Sequence, residues 1–126
     1  MTIQFTSVAD FPKATSPKVK ELALTENVAI HFKLDEAVKK RGITLHKLAN
    51  ITGIRPATLS TYTVGNPTVI NSAHLMAIIV ALRVTDISEL FEIQLDTETE
   101  EKFNKDKQLW IENGWHPIYK KDSEES

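Results

Sequence analysis

The residues of this 126-residue chain best suited to metal or proton chemistry are its four histidines, His31, His46, His74 and His116. They are scattered, with no HExxH pair and no cluster at ligand spacing, so no metal centre is expected. Asp35 and Glu36 are adjacent on a helix-like stretch and point apart, which suits a solvated face and not an acid–base pair. No glycine-rich phosphate loop and no GxSxG elbow occurs. The chain has no cysteine, which removes disulfides, thiolate ligands and thiol nucleophiles and suits a reducing compartment. An enzyme is therefore not expected, and no cofactor is implied.

Charge leaves a polyanionic partner open. The net value of −2 hides an uneven distribution. Between residues 33 and 83, Lys33, Lys39, Lys40, Arg41, Lys47, Arg55 and Arg83 face only Asp35 and Glu36. From residue 96 onward Asp96, Glu98, Glu100, Glu101, Asp106, Glu112, Asp122, Glu124 and Glu125 outnumber five lysines. A basic middle can dock on phosphates while an acidic end keeps the chain soluble, and ordinary solvated surface fits the same counts. Lys39-Lys40-Arg41 reads first as a solvated helix end.

The elements that position these groups are short. With 41% hydrophobic and 25% charged residues, one ordinary core with tails is expected. Ser16 and Pro17 can open a short helix through Leu24 within an otherwise irregular stretch. Residues 28–32 alternate Val28, Ile30 and Phe32 with Ala29 and His31, and residues 91–95 alternate Phe91, Ile93 and Leu95 with Glu92 and Gln94. These two strand-like stretches can pair as a ribbon, setting His31 and Lys33 near Glu92. Leu34, Ala37 and Val38 give residues 33–41 a helical face ended by Gly42.

Thr44 caps a helix over 45–51 with Leu48 and Ala49 inward, Gly53 stops it, and a third helix starts near Pro56 with Leu59 and Tyr62 buried. After a turn at Val64-Gly65-Asn66-Pro67, Asn71 caps an apolar helix carrying Leu75, Ile78, Ile79 and Leu82. Thr85 is expected to cap a last short helix over 86–91 with Ile87 and Leu90 inward. A charged helix over 97–113 has Phe103 and Trp110 on one face and ends at Asn113-Gly114. Those aromatics either pack on the core or meet a second subunit. Beyond Tyr119 the composition is that of a disordered tail.

Neither a signal peptide nor a membrane span is read from the sequence. The start, Met1-Thr2-Ile3-Gln4-Phe5, has no basic n-region, and the longest apolar run, residues 75–82, falls far short of the roughly 20 residues a span needs. A cytoplasmic protein without membrane contact is expected.

Residues 45–62 combine features that two steeply crossing helices need together. Ala49 is small where the second helix passes close, Gly53 gives the backbone freedom of a tight turn, and Leu48, Ile54, Leu59 and Tyr62 can lock the pair. Here the chain resembles the lambda-repressor-like helix-turn-helix family of the Xre and Cro type, over roughly residues 33–91. The resemblance implies a mainly all-α, five-helix DNA-binding domain, with the small two-strand ribbon and an extra C-terminal helix added. The corresponding regions are an N-terminal arm (1–26), the helix-turn-helix domain (27–95), and a C-terminal helix with acidic tail (96–126).

The resemblance also implies a sequence-specific transcriptional regulator, most often a repressor, bound as a homodimer to double-stranded operator DNA. In that family the helix starting near Pro56 enters the major groove and the preceding helix crosses the backbone. Carried over, Arg55, Ala57, Thr58, Ser60 and Thr61 face base edges, while Thr44, His46, Lys47, Thr63 and Asn66 lie near phosphates. Single hydroxyls and a methyl favour thymine methyls and shape-based readout, with specificity resting on Arg55. This chain departs from the family pattern at Leu45, where a long amide is usual, at Arg55, where a capping hydroxyl is common, and at Val64 and Arg83. The missing amide and the acidic end motivate an alternative: a protein-binding adaptor or antitoxin-like partner that retains the fold.

Overall fold

The computed structural model describes residues 2–64 and 70–114. Residues 1–94 form one compact unit and residues 95–126 a second. In chain order the first holds β1 (Thr2–Ile3), α1 (Pro17–Ala23), β2 (Val28–Phe32), α2 (Leu34–Lys40), α3 (Leu45–Thr52), α4 (Pro56–Val64), α5 (Ser72–Leu82) and most of β3 (Phe91–Leu95). The mainly helical class expected from the sequence holds, with a small sheet beside it. The expected turn at 65–67, His116 and the tail beyond Tyr119 lie outside the described residues. None of the described helices is long and apolar enough to cross a membrane.

Caps and apolar spacing account for most helix limits. Ser16 accepts from the Val19 amide at 3.3 Å with Pro17 as first residue of α1. Thr44 accepts from the Lys47 amide at 3.1 Å at the head of α3, and Asn71 accepts from the Ala73 and His74 amides at the head of α5. Each such cap satisfies an amide that has no partner within its helix. The inward faces converge on one core of Phe32, Leu34, Ala37, Val38, Leu48, Ala49, Ile54, Leu59, Tyr62, Ile78, Leu82 and Leu90. Burying a side chain the size of Leu48, Leu59 or Ile78 contributes about 1.5–3 kcal/mol.

Several expectations are corrected. The two strand-like stretches are adjacent in the sheet, but a third strand joins them, the order being β1-β2-β3. β1 runs antiparallel to β2 with Thr2 opposite His31 and Ile3 opposite Ile30, so residues 1–26 are not a purely irregular arm. Asp10 adds to this order: its carboxylate accepts from the Thr6 amide and hydroxyl and the Ser7 amide, chiefly the first, and these bonds hold its pKa below the usual range. His31 lies on β2 beside β3 as expected, and its ring bonds to Thr2 and Glu36. In β2 the buried residues are Ala29 and Phe32, three apart, while Ile30 is exposed; the strand does not keep a single face inward.

The closing helix expected over 86–91 is a 3-10 turn of three residues, Ile87–Glu89, capped by Asp86 and not Thr85. The chain then enters β3, whose pairing with β2 takes up the backbone that a longer helix would need. Leu90 is buried as expected, but Ile87 is 56% exposed.

Arg41 is not a solvated helix end. Its guanidinium donates to the Leu82 carbonyl at 2.6 Å, to the Ala37 carbonyl at 3.1 Å, and through both Nη atoms to the Glu89 carboxylate at 2.5 and 2.9 Å. It thereby satisfies a carbonyl left open at the end of α5. The bond from Arg41 holds the Glu89 carboxyl below its usual 4.5, against the desolvation that would raise it. A carboxylate with a lowered folded-state pKa contributes stability that is complete above its unfolded value and lost as pH falls through the folded one. The melting midpoint is therefore expected to decline as pH drops below about 4.5, and Glu89→Gln to flatten that decline. An unchanged acid limb in Glu89→Gln would assign the loss to other groups.

α5 ends on Arg83 in the left-handed conformation (φ 57, ψ 47), the sole non-glycine residue with positive φ among those described. A Cβ is strained there. Arg83→Gly is expected to raise stability by about 0.5–1 kcal/mol, seen as a melting midpoint a few degrees higher. A lower midpoint would show that the arginine side chain contributes more than its backbone costs.

The second unit consists of α6 (Thr97–Asn113) among the described residues. Asp96 caps it by accepting from the Thr99 amide at 2.7 Å, and Gly114 (φ 74) ends it as the sequence implied. Leu109, Trp110 and Ile111 on this helix are exposed.

Candidate nucleic-acid interface

α3 and α4 are joined by a bend whose geometry follows from three residues. Gly53 adopts φ 78, ψ 2, and its amide donates to the Ala49 carbonyl at 2.9 Å. Thr52 bridges the bend: its hydroxyl donates to the Leu48 carbonyl at 2.8 Å and accepts from the Ile54 amide at 3.2 Å. The chain then turns into α4 at Arg55, whose carbonyl accepts from the Thr58 and Leu59 amides at 3.0 and 3.1 Å. Pro56 follows as first helical residue, where its missing amide costs no bond. Leu48, Ala49, Ile54, Leu59 and Tyr62 are all buried, so the two helices are locked through the set read from the sequence.

That packing leaves one side of α4 outward. Arg55, Ala57, Ser60 and Thr61 are exposed and Thr58 is half-buried. The Thr61 hydroxyl donates to the Ala57 carbonyl at 3.0 Å, so toward an outside group it can only accept. Arg55 caps α4 through its backbone, which leaves its guanidinium free of a structural task.

At the head of α3, Thr44, His46 and Lys47 are exposed. The Thr44 oxygen accepts the capping bond, and its hydroxyl hydrogen remains available to an anion. Thr63 is different. It is 7% exposed and its hydroxyl donates to the Ser60 carbonyl at 2.9 Å, so the phosphate role expected of it does not fit its burial. Asn66 lies outside the described residues. The sequence reading missed that Ile51 and Val64, on these same two helices, are exposed apolar residues. Their burial depends on partners that spacing alone does not reveal.

Among the described residues no group of three or more histidine, cysteine or acidic side chains is placed to hold a metal ion. The arrangement offers an exposed helix face bearing hydroxyls, a methyl and one guanidinium, beside a helix start bearing a lysine, a histidine and a threonine. A guanidinium, an ammonium and free hydroxyls are groups able to donate hydrogen bonds to anionic or carbonyl oxygens, and the methyl offers an apolar contact.

No curated protein and no solved structure matches the chain. A family model described as the Cro/C1-type HTH DNA-binding domain matches residues 33–96, which takes in α2 to α5 and β3. Just over half the chain is covered, including both helices of the locked pair and the bend between them. By this match and this geometry, the chain belongs to the family of Cro/C1-type helix-turn-helix DNA-binding domains.

Proposed function

We propose that the protein is a sequence-specific transcriptional regulator, acting as a repressor, which reads the DNA major groove with α4 as a homodimer on a two-fold operator. The observation that carries this reading is the division of α4 into a buried side, Leu59 and Tyr62, and an outward side with Arg55 at its start. Arg55, Ala57, Thr58, Ser60 and Thr61 meet base edges; Thr44, His46 and Lys47 meet phosphates. The reading carries with it a cytoplasmic location and a binding function in place of catalysis.

A second reading, a protein-binding adaptor on the same fold, is favoured by exposed Ile51 and Val64 on the helix pair. Retardation of random-sequence duplex DNA across a salt series separates the two. Regulation predicts binding whose logarithm falls linearly with the logarithm of salt, by about 0.9 per neutralised phosphate. Selection from a random duplex pool then yields two half-sites about one helical turn apart. No retardation at low salt would leave the adaptor.

A further inference from the structure

Tyr62 lies on the inward side of α4 and is 4% exposed. Its ring meets Phe32 edge-on at 6.3 Å and the His74 ring at 6.0 Å and 65°. Its phenol oxygen has two polar neighbours: the Asn71 backbone amide at 3.3 Å and His74 Nδ1 at 3.0 Å. A backbone amide can only donate, so the phenol hydrogen is left to point at His74. The reverse order, with Nδ1 donating, would leave that buried hydrogen without an acceptor among the described residues. The bonds therefore run from Asn71 N–H to the Tyr62 hydroxyl and from there to His74 Nδ1, with the ring proton of His74 on Nε2.

Asn71 is also the cap of α5, its side-chain oxygen accepting from the amides of Ala73 at 2.8 Å and His74 at 3.3 Å. One hydroxyl thus ties the second half of α4 to the first turn of α5 across space. Phenylalanine would fill the same ring volume, so the hydroxyl adds this tie and not packing. The tie sits on the side of α4 away from exposed Ser60 and one turn beyond half-buried Thr58, and by fixing α4 against α5 it fixes the angle at which Ser60 and Thr61 project. Recognition groups hold a productive geometry only when a supporting shell of hydrogen bonds locks the element that carries them.

We infer that Tyr62 and His74 are positioning residues for sequence readout, holding α4 in the orientation that discriminates one duplex from another while touching no DNA themselves. This rests on α4 being the DNA-contacting helix. The test uses full-length Tyr62→Phe, His74→Leu and His74→Gln, with affinity measured for the selected duplex and for a random duplex at one salt concentration, and a melting midpoint for each variant. Tyr62→Phe and His74→Leu are expected to lose on the order of tenfold on the selected duplex. Random-duplex binding, set by phosphates, is expected to stay within about twofold.

His74→Gln, whose amide oxygen accepts from the phenol, is expected to keep near-native discrimination. The Tyr62→Phe/His74→Leu double variant is expected to be no worse than either single one. Undiminished selected-duplex affinity in Tyr62→Phe overturns the inference. So does a parallel loss on both duplexes that tracks the melting midpoints, or a His74→Gln as poor as His74→Leu. Failure of the unaltered protein to bind any duplex would instead sink the DNA reading of α4, and this inference with it.

Discussion

Phe32→Ala is expected to destabilise the protein by about 3–5 kcal/mol, the range for emptying a fully buried phenylalanine site. The side chain has no exposed surface. It stacks on Phe91 at 4.7 Å and 7°, and meets Tyr62 edge-on at 6.3 Å, so one ring joins β2, β3 and α4. Domains of this size hold a net 5–15 kcal/mol, and the loss takes a large part of it. The urea midpoint is expected to fall sharply with little change in slope, and the melting midpoint by about 15 °C or more. Phe32→Leu, which refills much of the space, is expected to lose far less. A midpoint for Phe32→Ala within about 3 °C of the unaltered protein would mean that the site collapses around the gap and that Phe32 does not join these elements as described.

Arg55→Ala is expected to weaken binding to the selected duplex by about 1–3 kcal/mol, roughly fivefold to somewhat over a hundredfold, with an unchanged melting midpoint. The separation of the two effects follows from the backbone. Arg55 caps α4 through its carbonyl, which alanine supplies equally, so α4 begins as before. What disappears is one exposed guanidinium at the start of the outward face. The form of the loss identifies its partner. If Arg55 grips a base edge, the selected duplex suffers and the random duplex does not; if it grips a phosphate, both weaken and the salt slope falls by about one. Equal affinity on both duplexes would remove Arg55 from the interface.

The helices that position this interface were legible because their signals are local. Thr44 and Asn71 cap within three residues, Gly53 bends the chain where it stands, and Leu48, Leu59 and Ile78 mark inward faces through spacing on their own helices. What was not legible depends on residues far apart in the chain. β1 has two residues and exists because β2 offers it an edge. Arg41 finds Leu82 and Glu89, and Tyr62 finds His74, only after the helices have packed. Thr85 and Asp86 are both capping types, and the choice between them was decided by where β3 must begin. At the candidate interface, the outward face of α4 could be read from the positions of Leu59 and Tyr62. Thr63 follows Leu59 by four residues and so falls on the inward side of α4, and there its hydroxyl is satisfied by the Ser60 carbonyl of its own helix.

The Arg41 guanidinium bears on how the first unit comes apart. It grips the carbonyl ends of two helices and the carboxylate of the turn before β3 at once, so releasing any one of them leaves unsatisfied groups on the others. Piecemeal fraying of α2 or α5 from these ends is thereby penalised. Amides such as Val84 and Leu90, whose own bonds lie beside this junction, are therefore expected to exchange with solvent mainly when the whole unit opens, so that the candidate interface is carried by a body assembled or lost together.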